Sequence, residues 1–170
     1  GNSQQEALAI VMSSGEVAIY VGSDPGVAAD WSLVGIFKIG APLSNRGYLK
    51  VAGDLLILTK DDWQSLSKML TKDRTGKDTV SKISGAASVA ATAYSANFGW
   101  NITHYPRGNM ILVNVPVSGT RFDQHVLNTT TGAWCRFTGL NGRTWCTYND
   151  ELYFGGAGGI VYKADTGTSD

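Results

Sequence analysis

Charge is thin in this sequence. Of its 170 residues only 16% are charged, 14 Lys+Arg against 14 Asp+Glu for a formal net charge of +0, where an average soluble domain carries about 25%. So little charge gives neighbouring molecules almost no mutual repulsion near neutral pH. It points to a chain that lives packed against others, and it excludes a free-standing nucleic-acid grip, which needs a basic excess. Cysteine is scarce too, and two in 170 make no disulfide framework. No run approaches the roughly 18 consecutive apolar residues of a membrane span. The opening Gly1-Asn2-Ser3-Gln4-Gln5-Glu6 lacks the basic-then-apolar layout of a signal peptide, so no export is expected.

Glycine, by contrast, is in excess, with 21 residues where a usual share of roughly 7% would give about 12. Many turns and few long helices follow. Short β-rich runs at 8–12 and 17–21 flank the polar turn Ser13-Ser14-Gly15 and predict a hairpin. Asp24-Pro25-Gly26 punctuates its end, and 31–39 adds a third strand. Runs at 47–51 and 55–59 flank Gly53-Asp54. The segment 65–70 fits either a strand or a helical turn, and 71–78 has no apolar residue and predicts an exposed charged loop. From 79 to 96 the period changes: Val80, Ile83, Ala87, Ala90, Ala91 and Tyr94 recur at steps of three and four, predicting a helix capped by Asp78 or Thr79 and ended near Asn97 and Gly99. Strands return at 100–105, 109–115, 122–127, 133–137, 144–148, 152–154 and 160–163.

Strands this short, with turns every 8 to 12 residues, fit a sandwich, barrel or propeller. An internal repeat favours the propeller. Ile10, the Gly15 turn, 17–21 and Trp31 match Leu112, the Gly119 turn, 125–127 and Trp134, and each copy leads to a hairpin turned at Gly53-Asp54 or Asn149-Asp150. The offset of about 100 residues suits two blades plus an insertion. The fold class expected is therefore all-β, a β-propeller-like array of short antiparallel strands forming a partial propeller, with one inserted α-helix. Residues 1–70 form the first blades, 71–99 the charged loop and helix, and 100–170 further blades. Together they read as one structural domain and a piece of a longer chain.

The run Gly15-Glu16-Val17-Ala18-Ile19-Tyr20-Val21-Gly22-Ser23-Asp24-Pro25, then Trp31-Ser32-Leu33-Val34-Gly35 and Ile39-Gly40-Ala41-Pro42-Leu43, resembles a family of tailed-phage and prophage virion structural proteins. Gly99-Trp100, the strand from Asn109 through Pro116, Gln124-His125-Val126-Leu127-Asn128, Thr131-Gly132-Ala133-Trp134-Cys135-Arg136-Phe137 and Leu152-Tyr153-Phe154-Gly155 resemble it as well. The resemblance implies an assembly module at the head–tail junction or in the tail tube or nozzle of a podovirus-like particle. It would be made in the bacterial cytoplasm and act by packing and shape. Its implied partners are portal and tail subunits, further copies of itself or the rest of a longer chain, and DNA passing without sequence recognition, with no membrane. The resemblance brings no catalytic residue and no cofactor. The alternative is a carbohydrate-binding, lectin-like module for host recognition.

Chemistry-bearing motifs are sparse. The Gly155-Gly156-Ala157-Gly158-Gly159 run leads into a strand rather than the helix that a phosphate loop needs. Cys135, Cys146, His104 and His125 lack the close ligand pairs of a zinc site, and both cysteines are expected as free thiols in the cytosol. Asp61 with Asp62, or Ser118 with Asp123 and His125, read as turn residues and not as a hydrolytic set. Asn101-Ile102-Thr103 and Asn128-Thr129-Thr130 match the glycosylation pattern, which means little without export. The candidate contact residues are Trp63, beside the charged loop, and Arg107, Arg121 and Arg143, which flank turns in the C-terminal half.

Overall fold

The computed structural model describes residues 6–61, 63–67 and 85–167, and these form an all-β protein of four small antiparallel sheets with one short helix. The chain divides into two compact units, Gly1–Pro42 and Leu43–Asp170. The expected loop at 71–78 and the expected first turn of the helix at 79–84 lie outside the described residues.

The smaller unit is a meander of β1 (Glu6–Val11), β2 (Glu16–Gly22) and β3 (Ser32–Lys38), in that spatial order. Strand alternation sends Val17 and Ile19 to one face, where both are fully buried. Leu8, Ile10, Ala18, Tyr20, Leu33 and Ile36 share the other, through the pairings Leu8↔Tyr20↔Leu33 and Ile10↔Ala18↔Ile36. The register slips between Ile19 and Tyr20. Val34 is the unpaired residue of this bulge, which restores Leu33 to the same face as Ile36.

In the larger unit, β4 (Tyr48–Val51), β5 (Asp54–Leu58) and β6 (Trp63–Ser65) form one sheet. The four strands β7 (Asn101–Tyr105), β8 (Met110–Pro116), β9 (Phe122–Asn128) and β10 (Trp134–Phe137) form the second, and β11 (Thr144–Tyr148), β12 (Glu151–Gly155) and β13 (Val161–Lys163) the third. The second sheet lies between the other two. Ile111, Val113 and Val115 point from one face into a core with Leu58, Trp63, Ala90, Ala91 and Trp100. Leu112, Val126 and Tyr105 point from the opposite face into a core with Trp145, Leu152 and Phe154. This accounts for the unbroken apolar run 110–113 in β8: a strand buried on both faces has no reason to alternate. Each fully buried aliphatic of that run contributes on the order of 1.5–3 kcal/mol.

The first strand of each sheet is its point of contact, with β7 packed beside both β4 and β11. They run in one sense. Thr103 Oγ1 donates to the Trp145 carbonyl at 3.3 Å and Thr147 Oγ1 to the His104 carbonyl at 2.7 Å, so β7 and β11 advance together. Ser44, just ahead of β4, donates to the carbonyl of Trp100, just ahead of β7, at 2.6 Å. Helix α1 (Gly85–Tyr94) packs on β8. Its final turn gains a partner when Trp100 Nε1 donates to the Tyr94 carbonyl at 3.0 Å, supplying a donor that a helix C-terminus otherwise lacks.

The sequence repeat has a structural counterpart. The three strands of the β1–β3 meander correspond to β8, β9 and β10, and the following hairpin β4–β5 to β11–β12. Both hairpins close through two residues with positive φ, Ala52 and Gly53 at 49° and 78°, Asn149 and Asp150 at 48° and 58°, as expected of the turn whose twist matches the strands it joins.

Candidate functional site

Polar side chains are buried where the second and third sheets meet. Asn101, Asn114 and Gln124 lie directly opposite one another across β7, β8 and β9, and all three are buried. Asn114 is the hub. Its Oδ1 accepts from Gln124 Nε2 at 2.9 Å and from the Trp145 indole at 3.2 Å. Its Nδ2 donates to the carbonyls of Gly99 at 3.1 Å and Arg143 at 3.4 Å. The amide thus ties β8 to its own sheet, to the end of the helix connection and to the next sheet. These contacts give the two sheets a fixed register, which apolar packing alone leaves looser. His125, in the same strand as Gln124 but on its other face, is pushed to a lower pKa by loss of water contact and by Arg136, against the pull of Asp123, so it is neutral near pH 7.

The common direction of the first strands gives the larger unit two distinct ends. Arg121 immediately precedes β9, Arg143 immediately precedes β11, and Arg46 stands ahead of β4 with Nη1 3.5 Å from Thr144 Oγ1. These three belong to the end where the first strands begin. Arg121 is paired with the buried Asp123 through Nε and Nη2 at 3.3 and 3.2 Å, whereas Arg143 is exposed and has no ion pair among the described residues. Arg107 sits at the opposite end. There Glu151 accepts from it at 2.5 Å and from Lys163 at 3.2 Å, and these hydrogen bonds, that from Lys163 foremost, hold the Glu151 carboxyl below its usual pKa. Tyr105 OH donates to Asp165 at 3.0 Å at this same end, fastening the chain after β13 to β7. Asp54, in the β4–β5 hairpin, also belongs here. Partial burial pushes its carboxyl up, but hydrogen bonds from Ser65, Ser67 and the N–H groups of Ser67 and Leu55 outweigh this and hold it below the ordinary value.

The structure therefore separates the four residues singled out from sequence. Arg121 and Arg143 share one end, Arg107 serves an ion cluster at the other, and Trp63 is no surface aromatic at all. Pairing of Leu58 with Trp63 turns the indole into the core, 2% exposed and edge-on to Trp134 at 5.7 Å. Its acidic sequence neighbours had suggested the surface. Asn114 and Gln124 escaped sequence reasoning, although a lone Asn in the apolar run 110–115 was the available signal. Cys135 and Cys146 are exposed free thiols, and among the described residues no three His, Cys, Asp or Glu side chains gather as for a metal ion. No helix among those residues is long and apolar enough to cross a membrane.

These features define a class, an all-β protein whose sheets stack face to face with polar side chains fixing their register. No protein-family model matches the sequence, and no curated protein is significantly similar to it.

Proposed function

We propose that the chain is a structural part of a phage or prophage particle, an assembly module of the head–tail junction or tail tube that works by packing and shape. The observation that carries this reading is the stacking itself. Three sheets meet through parallel first strands, the relation between successive blades of a propeller, and such sheets build rigid walls without chemistry of their own. The sequence resemblance to tailed-phage virion proteins supports it independently. Arg46, Arg121 and Arg143 at one end suit a wall past which DNA slides, since backbone contact alone carries no sequence preference. The carbohydrate-binding alternative, which calls on exposed Trp and Tyr, loses Trp63 to the core and keeps the exposed Tyr48, Tyr148 and Tyr162.

The test is made on particles induced from a lysogen that encodes the chain. Peptides of the chain are expected in purified particles by mass spectrometry, and an epitope tag is expected at the tail base by immuno-electron microscopy. Infectious particles of normal shape after deletion of the coding segment would refute the reading.

A further inference from the structure

Three exposed side chains, Arg46, Arg143 and Thr144, come together at the end of the larger unit where the first strands begin. Arg46, from the turn ahead of β4, reaches across to β11 and places Nη1 3.5 Å from Thr144 Oγ1. Arg143 immediately precedes Thr144, so the two Cα atoms lie about 3.8 Å apart and its long side chain starts beside the same hydroxyl. The backbone is fixed on both sides of this place. Arg46 N donates to Ser44 Oγ at 3.0 Å, and Ser44 Oγ donates in turn to the Trp100 carbonyl at 2.6 Å. Arg143 N donates to the Gly155 carbonyl at 2.8 Å, and the Arg143 carbonyl accepts from the buried Asn114 amide at 3.4 Å. Gly142 lies against the Trp145 ring, which would stand 2.8 Å from a Cβ there. The amide that registers the second and third sheets thus also steadies the turn that carries Arg143.

The two guanidinium groups have no acid beside them. Neither makes an ion pair among the described residues, and the segments they stand on, 31–53 and 124–149, contain no Asp or Glu. Arg121 differs, because Asp123 takes two of its N–H groups. Lys60 and Asp61, at the same end, cancel in charge. A guanidinium carries five N–H donors, and a contact at 3.5 Å is the loose limit of a hydrogen bond, so nearly all of these donors remain for a ligand. Two like charges drawn toward one hydroxyl repel each other, and an anion between them turns the repulsion into attraction.

We propose that Arg46, Arg143 and Thr144 form a binding site for one phosphate group of a DNA backbone. This deepens the particle role proposed above and rests on that reading. Planar guanidinium forks take oxygens in pairs. The two oxygens of a carboxylate fill one fork, whereas a phosphate has four to meet two forks and a hydroxyl. The phosphate alone is held, because a nucleobase needs an exposed ring to stack on and the rings at this place, Trp100 and Trp145, are 1 and 5% exposed. Contact is therefore indifferent to sequence. With two cations it stays at the weak end of non-specific binding, with dissociation constants on the order of 10⁻⁴ M in low salt.

Titrating a DNA duplex of about 16 base pairs into the isotope-labelled full chain, in about 20 to 200 mM salt, tests the site by NMR. Shifts are expected in the turns 44–47 and 141–144. Two phosphate-binding cations give a slope of log affinity on log salt of about −1.8, a loss of about 60-fold over that range. Arg46→Gln and Arg143→Gln should each halve the slope to about −0.9. Lys50→Gln, an equal loss of charge at the opposite end, should leave it unchanged. Arg46→Lys should keep the slope and lose affinity, since an ammonium cannot make the fork. All three altered side chains are exposed, so circular dichroism should match the parent. A duplex that shifts neither turn, or a slope that survives both glutamine variants, overturns the site. An acidic peptide that shifts the same amides at lower concentration than the duplex overturns it in favour of a protein ligand. Inorganic phosphate that shifts them while the duplex does not overturns it in favour of the free ion. Each of these results leaves the particle role to the deletion experiment, and infectious particles after deletion would remove that role while the contact measured on the isolated chain stood.

Discussion

Replacing Asn114 with Leu probes the join between the second and third sheets most directly. The side chain is 0% exposed, and Leu has nearly its shape, so volume changes little. What is lost is four hydrogen bonds. The Trp145 indole N–H, in a residue 5% exposed, loses the one acceptor it has at 3.2 Å. Gln124 Nε2 keeps only the Phe122 carbonyl at 3.4 Å, and the Gly99 and Arg143 carbonyls each lose a donor. A buried donor left alone costs about 1–3 kcal/mol, and partly satisfied groups cost less. The expected destabilisation is about 3 kcal/mol against a total stability of about 5–15 kcal/mol. With a urea m-value near 2 kcal/mol/M, the unfolding midpoint should fall by roughly 1.5 M, read by tryptophan fluorescence. Asn114→Asp supplies the sign test. Its carboxylate faces two carbonyls, so the folded state favours the protonated form and the folded pKa lies above the unfolded value of about 3.9. Stability relative to the parent should then fall as pH rises through about 4 and upward. A midpoint shift under roughly 0.3 M for Asn114→Leu, or an Asn114→Asp penalty independent of pH, would refute the idea that this amide locks the sheets.

Asp54→Asn should weaken the hold on residues 65–67, since the carboxylate accepts from Ser65 Oγ at 2.5 Å and from Ser67 N and Oγ at 2.9 Å. Because the folded carboxyl titrates below its ordinary value, its contribution is complete above the unfolded pKa of about 3.9 and fades as pH falls toward the lower folded value. Urea midpoints of parent and variant should therefore differ at pH 7 and converge near pH 2–3; a constant gap across that range would contradict this. Trp63→Ala should cost about 3–5 kcal/mol, the usual penalty for emptying a large aromatic site in a core, visible as a large drop in the thermal midpoint. A variant that melts like the parent would return Trp63 to the surface and revive its role as a ligand contact.

Much of the fold was legible because the signals are local. Strands such as Glu16–Gly22 and Met110–Pro116 are β-branched runs between turn residues, and their periodicity needs no tertiary knowledge. Trp63 shows where this ends. Its sequence neighbours are acidic, but the side a strand residue faces is set by its pairing, here with Leu58, and a register is not written in neighbours. The Asn114 hub was illegible for a related reason, since its four partners lie 10 to 31 residues away on separate elements.

The parallel first strands also decide how a chain of formal net charge +0 distributes that charge. Among the described residues Arg46, Arg121 and Arg143 stand where the strands begin, beside Lys60, Asp61 and Asp123, while Asp54, Asp150, Glu151 and Asp165 stand where they finish, beside Lys50, Arg107 and Lys163. The zero is a balance between the units: Leu43–Asp170 holds 13 Lys+Arg against 10 Asp+Glu, and Gly1–Pro42 one against four. Charge separated in this way turns in a uniform field and is drawn along a gradient, and salt weakens both effects beyond about a Debye length.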